Sequence, residues 1–385
     1  MKKTTCIASL MVCLSMGQAG ALAQNIRIDM NKTYPEKTIS LQKVADVKYI
    51  PLETTDEALF NGVVTHLSAE GIAGFNKKEG DILVFDGTGK AIASFNHTGQ
   101  GPNEYNKIYH LDVDWKQKEV YVQDNFRQKI RIYALNGSHL RTIDLQETMQ
   151  QGDLYNFSDT HLIYYAQPKS KPVTPYEPVT LLTKKDASKV TLPFTKTDDN
   201  LVKATGGLFG DMKMSAKNVN LLCKKGDEVY VNEVTADVIY RVESNHALTP
   251  VVERTPSYQD ASGQDFFLML TGANARYYFF KRQQALLEFQ GNAATDTKST
   301  YVAYDRKEKH LLNPTFTNED YPSHDLSMSK LLQCAGSANR CYLQLEVFKL
   351  KEALAEGKLK GTLKSIAEKL DEEDNPVLMV VEFKK

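Results

Sequence analysis

Two stretches of this chain lie over one another at a fixed offset, and that repeat constrains the fold more than any other feature. ILVFDGTGKAIASF (Ile82 to Phe95) aligns with IRIYALNGSHLRTI (Ile130 to Ile143). Ile82 falls on Ile130, Phe85 on Tyr133, Gly89 on Gly137 and Phe95 on Ile143, each 48 residues on. Apolar residues alternate on both sides of a Gly-containing turn, which is the pattern of two half-buried strands in a hairpin. Weaker copies continue the series, with anchors at Leu182, Tyr240 and Tyr304 and polar insertions between the later ones. A further short strand precedes several copies: VYVQD (Val120 to Asp124), HLIYYA (His161 to Ala166) and EVYVNE (Glu228 to Glu233).

Repeats of about 40 to 50 residues, each of several antiparallel strands, are the mark of a β-propeller blade. Five units have anchors, and the chain ends supply a sixth. IRIDM (Ile26 to Met30) and VKYIPLE (Val47 to Glu53) read as strands at the start, and VLMVVEFK (Val377 to Lys384) at the finish. A ring that failed to close would expose two sheet edges, so a last blade composed from both ends is expected. The fold class is therefore all-β: a six-bladed β-propeller of four-stranded antiparallel blades, as one domain over residues 24–385. One region departs from the strand pattern. Leu363, Ile366, Ala367 and Leu370 recur at helical spacing within about 346–370, which predicts a small helical decoration before the closing strand at about 377–384.

Lys2 and Lys3, the apolar run Ile7 to Met16 and Ala21-Leu22-Ala23 have the layout of a cleaved secretory signal covering residues 1–23. The rival reading, a lipid anchor at Cys13, is disfavoured because Val12 stands where a lipobox carries a small residue. No other segment is apolar enough to span a bilayer, so no integral membrane span is expected. The expected location is the periplasm or the cell surface. There Cys334 and Cys341 either pair across a small loop or sit as two separate thiols, and Cys223 reads as a small buried hydrophobe.

Three further segments resemble the six-bladed β-propeller proteins exported by Bacteroidetes. They are VADVKYIPLETTDEALF (Val44 to Phe60), FNHTGQGPNEY (Phe95 to Tyr105), which matches that family's GxGPxEY loop, and DEEDNPVLMVVEFKK at the end. The resemblance implies a secreted or lipid-anchored propeller and assigns no activity. One departure is Ala134, where the earlier repeat has an Asp, which marks that position as a turn residue and not a shared ligand.

Forty-seven basic and 48 acidic residues leave a net charge of −1, without the basic surplus of a nucleic-acid binder. The sequence holds no HExxH, HxH or GxSxG, no zinc spacing and no cofactor signature, so neither a cofactor nor a catalytic residue is assigned. Asp112, Asp114 and Asp124 lie outside any calcium-loop pattern and read as ordinary exposed strand carboxylates, so no metal site is expected. In the 97–105 loop, Gly99 and Gly101 permit positive φ, Pro102 fixes its own φ, Glu104 offers a cap and Tyr105 an inter-blade contact. A structural turn is favoured. The alternative is a binding face made by Gln100, Asn103, Glu104 and Tyr105. Two functions stay open: a non-catalytic binding or scaffold propeller for a glycan, peptide or envelope protein, or a hydrolase or lyase at the channel mouth. The second requires His, Asp or Glu gathered in the channel with perturbed pKa values.

Overall fold

The computed structural model describes residues 26–124, 126–145, 149–168, 176–195, 201–205, 212–215, 221–258, 260, 266–284, 286–290, 293–294, 298–324, 326 and 340–384. The signal at 1–23, Cys13 and Cys334 lie outside them.

Six sheets form the six blades of the propeller. Blade 1 runs Val63–Leu67, Gly71–Phe75, Ile82–Asp86 and Ala91–Phe95 from the axis outward, and blade 2 runs His110–Asp114, Glu119–Asp124, Lys129–Ala134 and His139–Asp144. Blade 3 spans Met149–Asn156 to Lys189–Thr191, blade 4 Leu222–Lys225 to Leu248–Thr255, and blade 5 Phe266–Ala273 to His310–Thr317. In these five blades the first strand of each sheet lies against the first strand of the next, so these strands wall the channel. The repeat seen in the sequence is the third strand of each blade: Phe85, Tyr133, Leu182, Tyr240 and Tyr304 all sit there. The glycines that keep register at 89 and 137 have φ of +92° and +85°, a conformation in which a Cβ is strained.

Blade 6 is composed from both ends, as expected. Val377–Phe383 pairs antiparallel with Arg340–Leu345 on one side and with Ala45–Pro51 on the other. The other N-terminal strand goes elsewhere. Ile26–Asp29 adds in parallel to the outer strand of blade 4, and a second segment, Glu36–Ser40, adds in parallel to that of blade 5. The first 26 described residues thus lace three blades in turn. Their pattern fits this use, because Ile26 and Ile28 turn inward while Arg27 faces solvent. The long spacings between later anchors also have a structural cause. Leu201–Thr205, Met212–Ser215 and Leu286–Gln290 are insertions that pair with each other in a separate sheet.

The core is divided into wedges between neighbouring blades, each with its own apolar cluster. Between blades 5 and 6 the cluster holds Tyr277, Phe279, Phe316 and Phe383, with ring centroids 5.5 to 6.2 Å apart. The helical decoration is two short helices, Val347–Ala355 and Gly361–Ala367, separated by Gly357 at φ +68°. Leu350, Leu363 and Ala367 bury into that same cluster, so the decoration is part of the core. Cys341 is buried there as well. No helix among the described residues is long and apolar enough to cross a membrane.

Candidate functional site

The GQGPNEY loop links the outer strand of blade 1 to the inner strand of blade 2, and its carbonyls and the Glu104 carboxylate are tied down by neighbouring donors. Glu104 accepts a hydrogen bond from the Gly101 N–H at 2.7 Å. The Arg127 guanidinium donates to the Gly99 and Gly101 carbonyls (3.2 and 3.1 Å) and to Gln100 Oε1 (2.6 Å). Asn103 contributes its carbonyl, which accepts from the Tyr133 hydroxyl at 2.7 Å. Tyr105 is wholly buried, donating to the Gly80 carbonyl at 2.7 Å and accepting from the His97 N–H at 3.0 Å, and burial pushes its phenol up to about 12. His97 stacks on Tyr133 at 4.9 Å and 5°. Of the four candidate binding residues, Gln100 and Asn103 are exposed and Tyr105 is not.

The glycines of this loop correct the expectation of positive φ. Neither Gly99 nor Gly101 is in the left-handed region. A Cβ at 99 would lie 2.0 Å from Glu104 Oε2, so any other residue there must displace that carboxylate. The constraint is close approach by a carboxylate, not backbone handedness.

The three aspartates also depart from the sequence reading, since Asp112, Asp114 and Asp124 are all buried. Asp114 pairs with Lys184 at 2.6 Å and Asp124 with Arg131 at 3.1 Å. Asp112 stands on the innermost strand of blade 2 and gathers four donors. Its Oδ1 accepts from His66 Nδ1 at 2.8 Å and from the Val113 N–H at 2.9 Å. Its Oδ2 accepts from the Asn156 N–H at 2.7 Å and from Lys224 Nζ at 3.0 Å. His66, Asn156 and Lys224 belong to blades 1, 3 and 4, so one carboxylate bridges four blades across the channel. Thr65 forms a bulge in its strand, and such a bulge re-aims the following side chain, here His66, at the axis.

Burial would raise the Asp112 pKa, but the Lys224 charge, His66 and the Asn156 N–H outweigh it and hold the group well below the carboxylate range. His110, one turn of the pleat earlier, packs edge-to-face on Tyr155 at 5.0 Å. Burial lowers it to about 4, against the pull of Asp112, so it is neutral at physiological pH. No short motif announces this group. His66, Asp112 and Lys224 are separated by 46 and 112 residues, and only ring closure brings them together.

Searching curated proteins finds no match. Among solved structures the chain is similar to a protein from Bacteroides fragilis NCTC 9343 whose name describes it as exported, at 15% identity over 93% of this chain and 100% of that one, with a TM-score of 0.64. It is similar also to a member of the DUF4221 family from Bacteroides vulgatus ATCC 8482, at 8% identity, covering 89% and 98%, with a TM-score of 0.47. At 15% identity the first likeness shows the fold. Residues 25–382, which take in the ring from the N-terminal lace to all but the last residue of the closing strand, are matched by the family described as a domain of unknown function, DUF4934, and the chain belongs to that family.

Proposed function

We propose that this chain is an exported, non-catalytic binding propeller of the periplasm or cell surface, with a peptide, glycan or envelope protein as its ligand. The observation that carries this reading is the state of Asp112. An acid–base group must change protonation during turnover. Asp112 accepts from four donors on as many blades, and its protonation would leave the half-buried Lys224 without its counter-charge. The chemistry gathered in the channel is thus arranged to hold the ring together. Export is supported by the signal-like residues 1–23 and by the likeness to a protein whose name describes it as exported.

A second reading, a hydrolase or lyase at the channel, has one observation in its favour. His66 Nδ1 is fixed by Asp112, and among the described residues Nε2 has no hydrogen-bond partner, which is the posture of a general base. One experiment separates the two. Ligands found by glycan array and by pull-down from envelope extract are incubated with wild-type protein and with His66→Gln, and recovered for mass spectrometry. The binding reading expects the ligand back chemically unchanged and equal retention by both proteins. A product formed by the wild type and absent with a folded His66→Gln variant would replace it with the second reading.

A further inference from the structure

Blades 1 and 4 share a register at the outer edge but differ in what covers it. In blade 4, Tyr240 pairs with Pro250 and Ile239 with Val252, so Val251 bulges from the outer strand. In blade 1, Phe85 pairs with Ala91 and Val84 with Ala93, so Ile92 bulges at the same place. Phe85 and Tyr240 are equivalent anchors of the repeat, and residues 91–95 therefore stand where 250–254 do. The lace covers this edge in blade 4. Ile26–Asp29 pairs in parallel with residues 252–255, and the Met30 N–H donates to the Thr255 carbonyl at 2.7 Å. Beneath it Val252 and Arg254 are buried, and Val251 packs against the cluster that holds Ile26 and Ile28.

Among the described residues no strand covers the same edge of blade 1. Ala91–Phe95 is the last strand of its sheet, Ile92 is 51% exposed, Ser94 is exposed, and Ala93 and Phe95 are half-buried. Both blades close the start of the edge. Pro250 has no N–H to offer, and the Ala91 N–H is taken by Glu53 Oε2 at 2.8 Å. The open stretch of blade 1 is thus 93–96, the part that the lace uses in blade 4. Open edges invite a further strand, and charge, proline or shortness guards them. The outer strand of blade 2 carries Arg141 and Asp144, that of blade 3 has three residues and begins on Lys189, and that of blade 6 holds Asp46, Lys48 and Pro51. Blades 4 and 5 are covered by the lace. The blade 1 strand, AIASF, has neither charge, proline nor a covering strand.

We propose that an extended peptide with aliphatic residues at alternate positions adds to blade 1 as a fifth, parallel strand along residues 93–96. The lace supplies the chemistry. Its Ile26 and Ile28 lie beside Val252 and Arg254 with Arg27 turned to solvent, and the peptide's aliphatic residues lie in the same way beside Ala93 and Phe95. Main-chain bonds supply affinity in such an addition, and alternate side chains supply specificity. The proposal rests on the binding reading and selects a peptide from its ligands.

The probe is a dye-labelled peptide, IRIDIRI, titrated into the full exported chain and followed by fluorescence polarisation. Its control, IRPDPRI, lacks the two N–H groups that match those of Ile28 and Met30. The Arg254 N–H turns inward to the Asp237 carbonyl at 2.8 Å, so that of Glu253 turns toward the lace, and Ser94 holds the position of Glu253. Ser94→Pro therefore removes an edge N–H and leaves the hairpin paired. Ile92→Lys adds a guarding charge at an exposed side chain. Saturable binding of IRIDIRI and none of IRPDPRI is expected, with slower hydrogen exchange at Ser94 and affinity lowered about tenfold by either variant. A photo-crosslinker on the peptide's N-terminus should label residues beside Ile92. No binding at millimolar peptide, equal binding of IRPDPRI, affinity unchanged in both folded variants, or labelling beside Asn96 instead would overturn the proposal. Self-association of the chain that Ile92→Lys abolishes would give the edge to a second copy and overturn it as well. Where the peptide fails, a ligand from the array or the extract that both variants retain leaves the binding reading standing.

Discussion

Blades 1 to 3 and blades 4 to 6 close the same ring by different means. Blade 2 sets three carboxylates into its walls, and each is paired: Asp112 with Lys224 and His66, Asp114 with Lys184, Asp124 with Arg131. Blades 4 to 6 instead receive one N-terminal strand each and, between blades 5 and 6, a cluster of aromatic rings. The difference is physical. Apolar burial is non-directional and stabilises in proportion to area, so the laced half is held by contact. Buried ions carry a desolvation cost that only well-placed partners offset, so the polar half gains geometric definition more than net stability. The polar half is contiguous in sequence and built of simple hairpins. The laced half depends on residues from opposite ends of the chain.

The largest expected effect comes from opening the laced half. Deleting Asn375 to Lys385 removes the middle strand of blade 6 and should abolish cooperative thermal unfolding, since two sheet edges are then exposed. An unchanged melting curve would show that closure lies elsewhere. Single substitutions then compare the halves directly. Phe279→Ala should cost about 3–5 kcal/mol through the cavity it leaves. Asp112→Ala should cost about 3–5 kcal/mol by leaving Lys224 without its counter-charge, and adding Lys224→Met should recover part of that in denaturant titrations. The two losses should differ in their response to acid. Because the Asp112 pKa is depressed on folding, its contribution is present above the unfolded value of about 3.9 and is lost as pH falls below it. The cost of Asp112→Ala should therefore shrink near pH 3 while that of Phe279→Ala does not.

A smaller effect sharpens the same contrast. His110 has a folded pKa of about 4 against 6.5 when unfolded, so the unfolded chain binds the extra proton first. Stability should fall as pH drops from about 6.5 to about 4. His110→Asn should flatten that slope, and hydrogen exchange at mildly acid pH should quicken in blades 1 to 3 before blades 4 to 6. Equal quickening in both halves would remove the distinction. The smallest effects belong to the strap between blades 1 and 2. Gly99→Ala should cost about 1 kcal/mol by swinging Glu104 off the Gly101 N–H, and Glu104→Gln about 1 kcal/mol or less by weakening the same bond.

The ring and the four-strand unit of blades 1 to 3 were legible in the sequence because period and alternation are local properties, whereas the three strands of blade 6 and the fifth, parallel strands of blades 4 and 5 were not. A Gly at 89 and at 137 recurs since each turn requires positive φ, and Phe85 and Tyr133 recur since each third strand buries the same position. The final strand and its pairing with an N-terminal strand followed from the need to leave no free edge, and the structure selects Ala45–Pro51 as that strand. Ile26 to Met30 was legible as a strand, but its place on blade 4 was not, because an alternating pattern states which face is buried and not which neighbour buries it.

What the sequence determined, then, is the blade, which is written in residues within about 50 of each other, and the number of blades, counted from its repeats and its two ends. Only the tertiary structure decided the electrostatics. LDVDW reads as two exposed carboxylates, and it becomes two buried ones because its strand is innermost and the ring carries Lys224 and Lys184 to it from other blades. Gly99 reads as a residue free to take positive φ, and what its missing Cβ provides instead is room for the Glu104 carboxylate. In each case the deciding partner is set by folding: a charge or a close contact depends on separation in space, which sequence spacing does not encode until the chain has closed.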